Sequence, residues 1–389
     1  MLSRTAEALA DPFFMPQSNK KLRVLHIVAP ARQGGMERVV TMLSAGQMSE
    51  GTHVAAVLSP AQVPDHPFIT GLETVGVPVT TVAVPARRYL REYHSLRALI
   101  GRLQPGVVHT HGYHADVIGG AAARSVGACT VSTVHGFLGV PLRNWLYERL
   151  QLIALRRANA LLAVSSPLVD RLAQAGISRS RIHLVLNGFA PTGPNKSRTA
   201  ARRELGIPEN ALVAGWVGRL SREKGADVML EAMAACERPW QFSMIGDGPQ
   251  AKRLRQRADE LGIADRISWH GPIANAGTLF SAFDAFVLSS RTEGTPIALL
   301  EAMSACVPIV ATRVGGVPDV VTSAQAMLVP PEQPALIAQS LAALAADPSA
   351  AKERSLLASE RVVQRFGADK WLAAVDKVYN AAMSAAPPP

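Results

Sequence analysis

Short apolar runs alternate along this chain with longer stretches in which apolar positions recur every three or four residues. The first run, Val24 to Val28, has the length and β-branched composition of a strand buried on both faces. Gly34-Gly35-Met36-Glu37-Arg38 then opens a helical stretch reaching to about Met48. Further strand-like runs stand at His53 to Leu58, Val77 to Val84, Val107 to His111, Cys129 to Val134 and Leu161 to Val164. Helical stretches such as Leu96 to Leu103 and Trp145 to Arg157 separate them. This alternation predicts a parallel sheet with helices on both faces. The breaker-rich segment Ala190-Pro-Thr-Gly-Pro-Asn-Lys-Ser197 reads as an interdomain linker, and beyond it the alternation restarts. Strands are expected at Leu212 to Val217, Gln241 to Ile245, Ile267 to Trp269, Ala285 to Leu288, Pro308 to Ala311 and Met327 to Val329. Helices near 224–236, 249–261, 296–305 and 333–346 fill the gaps, and two more, about 348–365 and 369–383, have no strand after them. The terminal Ala-Ala-Pro-Pro-Pro is a frayed tail.

At 389 residues the chain exceeds one ordinary domain. The pattern divides it into a domain at 20–190, a second at 198–368, and a closing segment at 369–389. With 48% hydrophobic and 18% charged residues it can bury a large core and is not disordered. Cys129, Cys236 and Cys306 form no CxxC pair, which argues against a disulfide framework or zinc site and for a reducing cytoplasm. Glu7 and Asp11 interrupt the amino-terminal apolar run, so no secretory signal is expected, and no apolar stretch is long enough to span a membrane. Charge is uneven. Residues 1–195 hold 19 Lys and Arg against 10 Asp and Glu, a net +9, whereas the remainder is nearly neutral. A basic first half implies an anionic partner such as acidic lipid, a lipid-linked phosphate or nucleic acid; arginines kept for solubility are the plain alternative.

The most informative stretch runs from Asp284 to Asp319. A buried-strand run, Ala285 to Leu288, is followed by a polar turn and then by the apolar helical stretch Ile297 to Ala305. Thr295 is placed to accept from the first helical amides, and Pro296 suits the first helical position. Such a junction of strand and helix favours an anionic group, while Glu293 and Glu301 offer acceptors for sugar and ribose hydroxyls. The pattern points to a pocket for a phosphorylated polyol. A second strand-to-helix loop, Gly218-Arg219-Leu-Ser-Arg-Glu-Lys224-Gly225, can grip two phosphates, with Arg as a fork and Lys as a point charge.

Glu293 and Glu301, the latter in Leu-Leu-Glu-Ala-Met, followed by Pro-Ile-Val-Ala-Thr-x-Val-Gly-Gly-x-Pro, resemble the nucleotide-sugar site of family-4 retaining glycosyltransferases of group 1. The resemblance runs from about Val24 to about Val363 and implies the GT-B fold: α/β, two doubly wound Rossmann-like domains facing across a cleft. It also implies that the last helix crosses back onto the first domain. By that resemblance Arg219 and Lys224 hold the diphosphate, Glu301 accepts from ribose and Glu293 holds the donor sugar. The amides of Gly294, Thr295, Pro296 and Ile297 complete the cradle, although proline brings no N–H. Thr295 departs from the commoner aromatic residue there, which leaves the donor sugar open. Gly34 and Gly35 would face the donor phosphate from the opposite wall, with Glu37 beside the acceptor. His135-Gly136 resembles the position that touches the donor sugar at the reacting side, and His111 would lie nearer the acceptor; apart from the resemblance, the basic-aromatic patch Ala86-Arg87-Arg88-Tyr89-Leu90-Arg91 makes Arg88 a candidate acceptor-side contact. His135, Arg219, Lys224 and Glu293 are thus the catalytic candidates. There is no Asp-x-Asp, so no metal or cofactor is expected beyond the nucleoside diphosphate sugar itself.

Other readings compete with some of these. His109, His111 and His114 could be a metal site, or strand-end histidines satisfied by backbone. Gly246-Asp-Gly248-Pro-Gln-Ala251, with Asp265 beyond it, formally fits a dinucleotide fingerprint, but it follows the second strand of its domain and is also the family's own turn beside the nucleotide. Residues 137–157 could be a membrane-surface helix or a core helix. The expected activity is transfer of a sugar to a glycan or lipid-linked acceptor in polysaccharide or lipopolysaccharide synthesis, in the cytoplasm and at the inner membrane face. No nucleic-acid signature is present. A nucleotide-sugar epimerase, using Glu37 and Asp116, and a non-catalytic binding module are the alternatives.

Overall fold

The computed structural model describes residues 22–31, 34–48, 51–136, 142–191, 193–236 and 240–385. The amino-terminal residues 1–21, the first five of the 137–157 segment and the last four of the tail lie outside that set.

Two parallel sheets carry the fold. The first orders its strands β3-β2-β1-β4-β5-β6-β7, with β1 Val24–Val28, β2 His53–Leu58, β3 Val79–Ala83, β4 Val107–His111, β5 Cys129–Val134, β6 Ala160–Ala163 and β7 Ile182–Leu184. The second orders them β10-β9-β8-β11-β12-β13, with β8 Val213–Val217, β9 Gln241–Ile245, β10 Ile267–Gly271, β11 Ala285–Leu288, β12 Ile309–Thr312 and β13 Met327–Val329. Every named pairing is parallel. Each half is therefore a doubly wound Rossmann-like sheet, and the GT-B architecture is the observed one. Strand order reverses direction between β1 and β4 and again between β8 and β11, which opens a crevice at the carboxyl ends of those strands.

Central strands are buried because helices cover both faces: β1, β4 and β11 are buried at every residue, with His26, His109, Thr110 and His111 as polar members of β1 and β4. Helix Tyr89–Leu103 begins earlier than its apolar stretch, since Tyr89 and Leu90 stay exposed. The closing helix Ala368–Ser384 buries Trp371, Val375, Val378, Tyr379 and Ala382, one face at helical spacing, and lies on β5 and β6 and against helix Gly35–Gly46. Phe189 N donates to Phe366 O at 2.7 Å, tying the connection between the sheets to the base of that helix. No helix among the described residues is long and apolar enough to cross a membrane.

Candidate active site

The loops at the carboxyl ends of β8, β9, β11 and β12 interlock. Gly246, at φ +138°, lies so close to the Gly218 loop that a Cβ there would sit 1.8 Å from Gly218 O, and one on Gly248 would sit 2.4 Å from Leu220 O. Only glycine lets these two turns touch. Gly246 and Gly248 thus seat the loop that carries Arg219 and Lys224. The dinucleotide reading loses its acid: exposed Asp265 precedes β10 and so stands at the amino ends of the strands, whereas Gly246 follows the carboxyl end of β9. Gly315, at φ +49°, is pressed in the same way onto Glu293, whose carbonyl accepts from Gly316 N at 3.0 Å.

The cation and the carboxylate meet on this platform. Lys224 Nζ donates to both Glu293 oxygens at 2.8 Å, and Ser290 Oγ donates to Oε1 at 2.6 Å. The Glu293 side chain is 5% exposed, Lys224 is about a third exposed, and Arg219 is exposed. Thr295 corrects a local expectation. It does not cap the helix, which runs Ile297–Ser304 with Pro296 as the N-cap rather than the first helical residue. Instead Thr295 Oγ1 donates to Val164 O at 2.6 Å and accepts from Asn187 N at 3.1 Å. Tertiary partners outbid the local amides, and the loop is stitched to the first half of the chain.

The facing wall comes from the ends of β1, β4 and β5. Glu37 Oε1 accepts from Ala31 N at 2.8 Å, and Gly34 leaves room for the carboxylate: a Cβ there would be 2.4 Å from Oε2. Burial holds the Glu37 carboxyl above its usual range, against backbone donors and the positive charge of Arg219, which lower it. Arg38, which the sequence marks only as part of a helix start, reaches across the cleft and donates to Glu301. Its one sequence signal is a cation in a helix's first turn, where the dipole disfavours it. Gly35 lies open beside this wall, with nothing within 4 Å of a Cβ. Gly294 backs onto His135, since a Cβ there would meet His135 O at 2.9 Å, and Ile297 is buried behind the loop. Ser166 N and Oγ donate to Asp319 at 2.7 and 2.8 Å, a further link across the halves.

His111 is a second correction. It is 1% exposed and bonded to His26 and His135, so it cannot touch an acceptor from the cleft. Nor are His109 and His111 satisfied by backbone: His109 bonds Tyr379 and Thr133 at 2.7 Å each. His114 instead pairs with Glu92. Arg88 is exposed at the start of helix Tyr89–Leu103. His26, His109 and His111 bring ring nitrogens within 4.8 Å of one another. Asp116 is buried and accepts from Thr110, Ser132 and Gln151, which removes it from acid–base work in the cleft.

Two family models match the chain, Glycosyltransferase Family 4 over residues 33–192 and Glycosyl transferases group 1 over residues 197–360. D-inositol 3-phosphate glycosyltransferase of Streptomyces avermitilis is 30% identical over 312 residues, covering 72% of this chain and 66% of that protein. Alpha-maltose-1-phosphate synthase of Mycolicibacterium smegmatis is 28% identical over 294 residues, 67% of this chain and 75% of that one. Among solved structures, Anabaena HepE in complex with UDP-glucose superposes with a TM-score of 0.84 at 22% identity, covering 92% of this chain and all of that one.

Proposed function

The chain belongs to the group 1 glycosyltransferases, and from that premise we propose that it moves a sugar from a nucleoside diphosphate sugar to a glycan or lipid-linked acceptor, with retention at the anomeric carbon. The observation that carries this reading is the pairing of Lys224 with Glu293 at the mouth of the reversed strand order, opposite His135 and the Gly34 loop. An incoming diphosphate would take over Lys224, and Glu293 would then be free to accept from the donor sugar's hydroxyls. Arg219 and Lys224 would hold the negative charge that collects on the departing diphosphate, the task a metal ion performs elsewhere. In a front-face reaction the leaving phosphate itself takes the acceptor proton, so no separate base is needed. HepE binds UDP-glucose, so uridine nucleotides head the donors to try.

A membrane-facing acceptor is supported by the surface of the first half. Helix Leu142–Leu155 exposes Leu146, Leu150 and Ile153 on one face, with exposed Arg149 on the same helix and exposed Arg156 and Arg157 just beyond it. Leu90, 78% exposed, stands among exposed Arg87, Arg88 and Arg91. Apolar side chains ringed by arginines suit the inner, anionic face of a membrane, and a role in polysaccharide or glycolipid synthesis follows.

The test is incubation with labelled donors and a membrane extract, with and without chelator. Label should pass to the extract equally in both. An isomerised free donor would instead mean an epimerase, tight binding without turnover a binding module, and reversible loss with chelator a metal-dependent clamp.

A further inference from the structure

Beneath the cleft, polar side chains form one continuous chain of hydrogen bonds from the closing helix to the catalytic wall. Asp376 Oδ1 accepts from Gln47 Nε2 at 3.0 Å. Gln47 Oε1 meets His26 Nε2 at 3.2 Å, and His26 Nδ1 meets His111 Nε2 at 3.0 Å. His111 Nδ1 meets His135 Nε2 at 3.5 Å, the longest link. Gln47, His26 and His111 are at most 2% exposed, so bulk water offers them no substitute partners.

The direction of every bond follows from the Asp376 end. A carboxylate only accepts, so Gln47 turns its amide nitrogen to Asp376 and its oxygen to His26. That oxygen also only accepts, so Nε2 of His26 carries the proton. In a neutral ring Nδ1 of His26 is then an acceptor, and His111 donates from Nε2. The same step leaves Nδ1 of His111 as an acceptor and Nε2 of His135 as the donor. Burial keeps the rings neutral: it pulls the imidazoles of His26 and His135 down to about 4 and that of His111 well below its ordinary value.

Building on the reading of His135 as the residue at the reacting side of the donor, we propose that Asp376, Gln47, His26 and His111 form a positioning relay that fixes His135 with its lone pair on Nδ1. The closing helix thereby sets which nitrogen of His135 can accept from a substrate hydroxyl. The opposite tautomer presents an N–H where an acceptor is required, a mismatch known to be costly at catalytic imidazoles. The relay also accounts for the clustering of His26, His109 and His111 without an ion. Each of their ring nitrogens already has a protein partner.

The experiment is histidine-selective 15N NMR of the full chain beside steady-state kinetics, for the wild type and for His26→Phe, Asp376→Asn and Asp376→Glu. The first substitution keeps a ring but cuts the chain. The second lets the Gln47 amide face either way, and the third restores an acceptor-only partner. The wild type should show His135 protonated at Nε2 alone. His26→Phe and Asp376→Asn should mix the tautomers and lower kcat about tenfold, the worth of one neutral hydrogen bond, with KM for the donor nearly unchanged; Asp376→Glu should return both readouts toward wild type. Should His26→Phe fail to fold, the Asp376 pair decides. The relay is overturned by a wild-type His135 protonated at Nδ1, by variants that keep the wild-type spectrum, by a changed spectrum with unchanged kcat, or by a stoichiometric bound metal. A wild type that transfers no sugar refutes the transferase reading instead, and the spectra alone then decide whether the relay exists.

Discussion

Two ion pairs hold Glu293 and Glu301 in the cleft, and they differ in what a substrate must do to them. Glu293 is buried with Lys224 on one side and the Ser290 hydroxyl on the other. Lys224→Ala leaves a buried carboxylate with one neutral donor and, on the proposed reading, removes a fixed cation from the leaving diphosphate. Turnover at saturating donor should fall on the order of 100-fold, the loss seen when a single preorganised donor is deleted from an anion-stabilising site. Release of labelled sugar measures it, and a rate near wild type excludes Lys224 from the diphosphate. Glu301 is held by Arg38 from the opposite wall, so on the proposed reading a ribose would take the carboxylate from that arginine. Glu301→Ala should weaken nucleotide binding roughly tenfold, the equivalent of about 1.4 kcal/mol. Calorimetric titration reads this directly, and an unchanged affinity would remove the ribose assignment.

At the level of elements, the site is made by loops that support one another rather than by any one motif. Gly246→Ala should show this. Its Cβ would meet the Gly218 carbonyl at 1.8 Å in a backbone conformation that side chains rarely adopt. About 1–3 kcal/mol of stability should be lost. Turnover should fall as well, because the displaced loop carries Arg219 and Lys224; urea melts beside kinetics separate the two effects, and an unaltered rate would mean the turn does not seat the clamp. Most strands were legible because burial on two faces favours short runs rich in apolar and β-branched residues, even where β4 and β5 carry histidines, threonines and a serine. The exception is β7, Ile182–Leu184, a short edge strand with Leu184 half exposed, whose sequence carries no such constraint. The strand-to-helix loops were legible as phosphate-sized turns, yet the reason for Gly246 lies in contact with a loop on another strand. Thr295 shows the limit from the other side. Its position predicts a helix cap, but Val164 O and Asn187 N, remote in sequence, are the partners it takes. The histidine pattern was likewise visible on β4, whereas Gln47, Tyr379 and Asp376, which decide what those rings do, come from helices that no local spacing connects to it.

For the whole molecule, burying neutral imidazoles makes stability depend on pH with a sign that can be worked out. His26 and His135 titrate near 4 in the folded chain and near 6.5 when exposed. Between those values the unfolded chain binds more protons than the folded one, so stability rises with pH through this window and is lost as pH falls through it. Each ring contributes on the order of a few kcal/mol at neutral pH, at 1.36 kcal/mol per unit of displacement. Glu37 and Asp116 act in the opposite sense. Burial raises both, so the folded chain holds their protons longer and their contribution declines as pH climbs above the usual carboxylate range. The histidines are displaced toward acid and more numerous, with His109 and His111 shifted the same way, so their slope should dominate. The melting temperature followed by circular dichroism should climb from about pH 4 to about pH 6.5 and then level off, and His26→Phe should flatten the climb. Acid would strike first at the buried histidines of β1 and β4, because protonating these rings breaks the links from Gln47 to His135. A His26→Phe variant whose melting temperature climbs with pH as steeply as the wild type's would show that His26 is not held neutral, and the relay would fall with it.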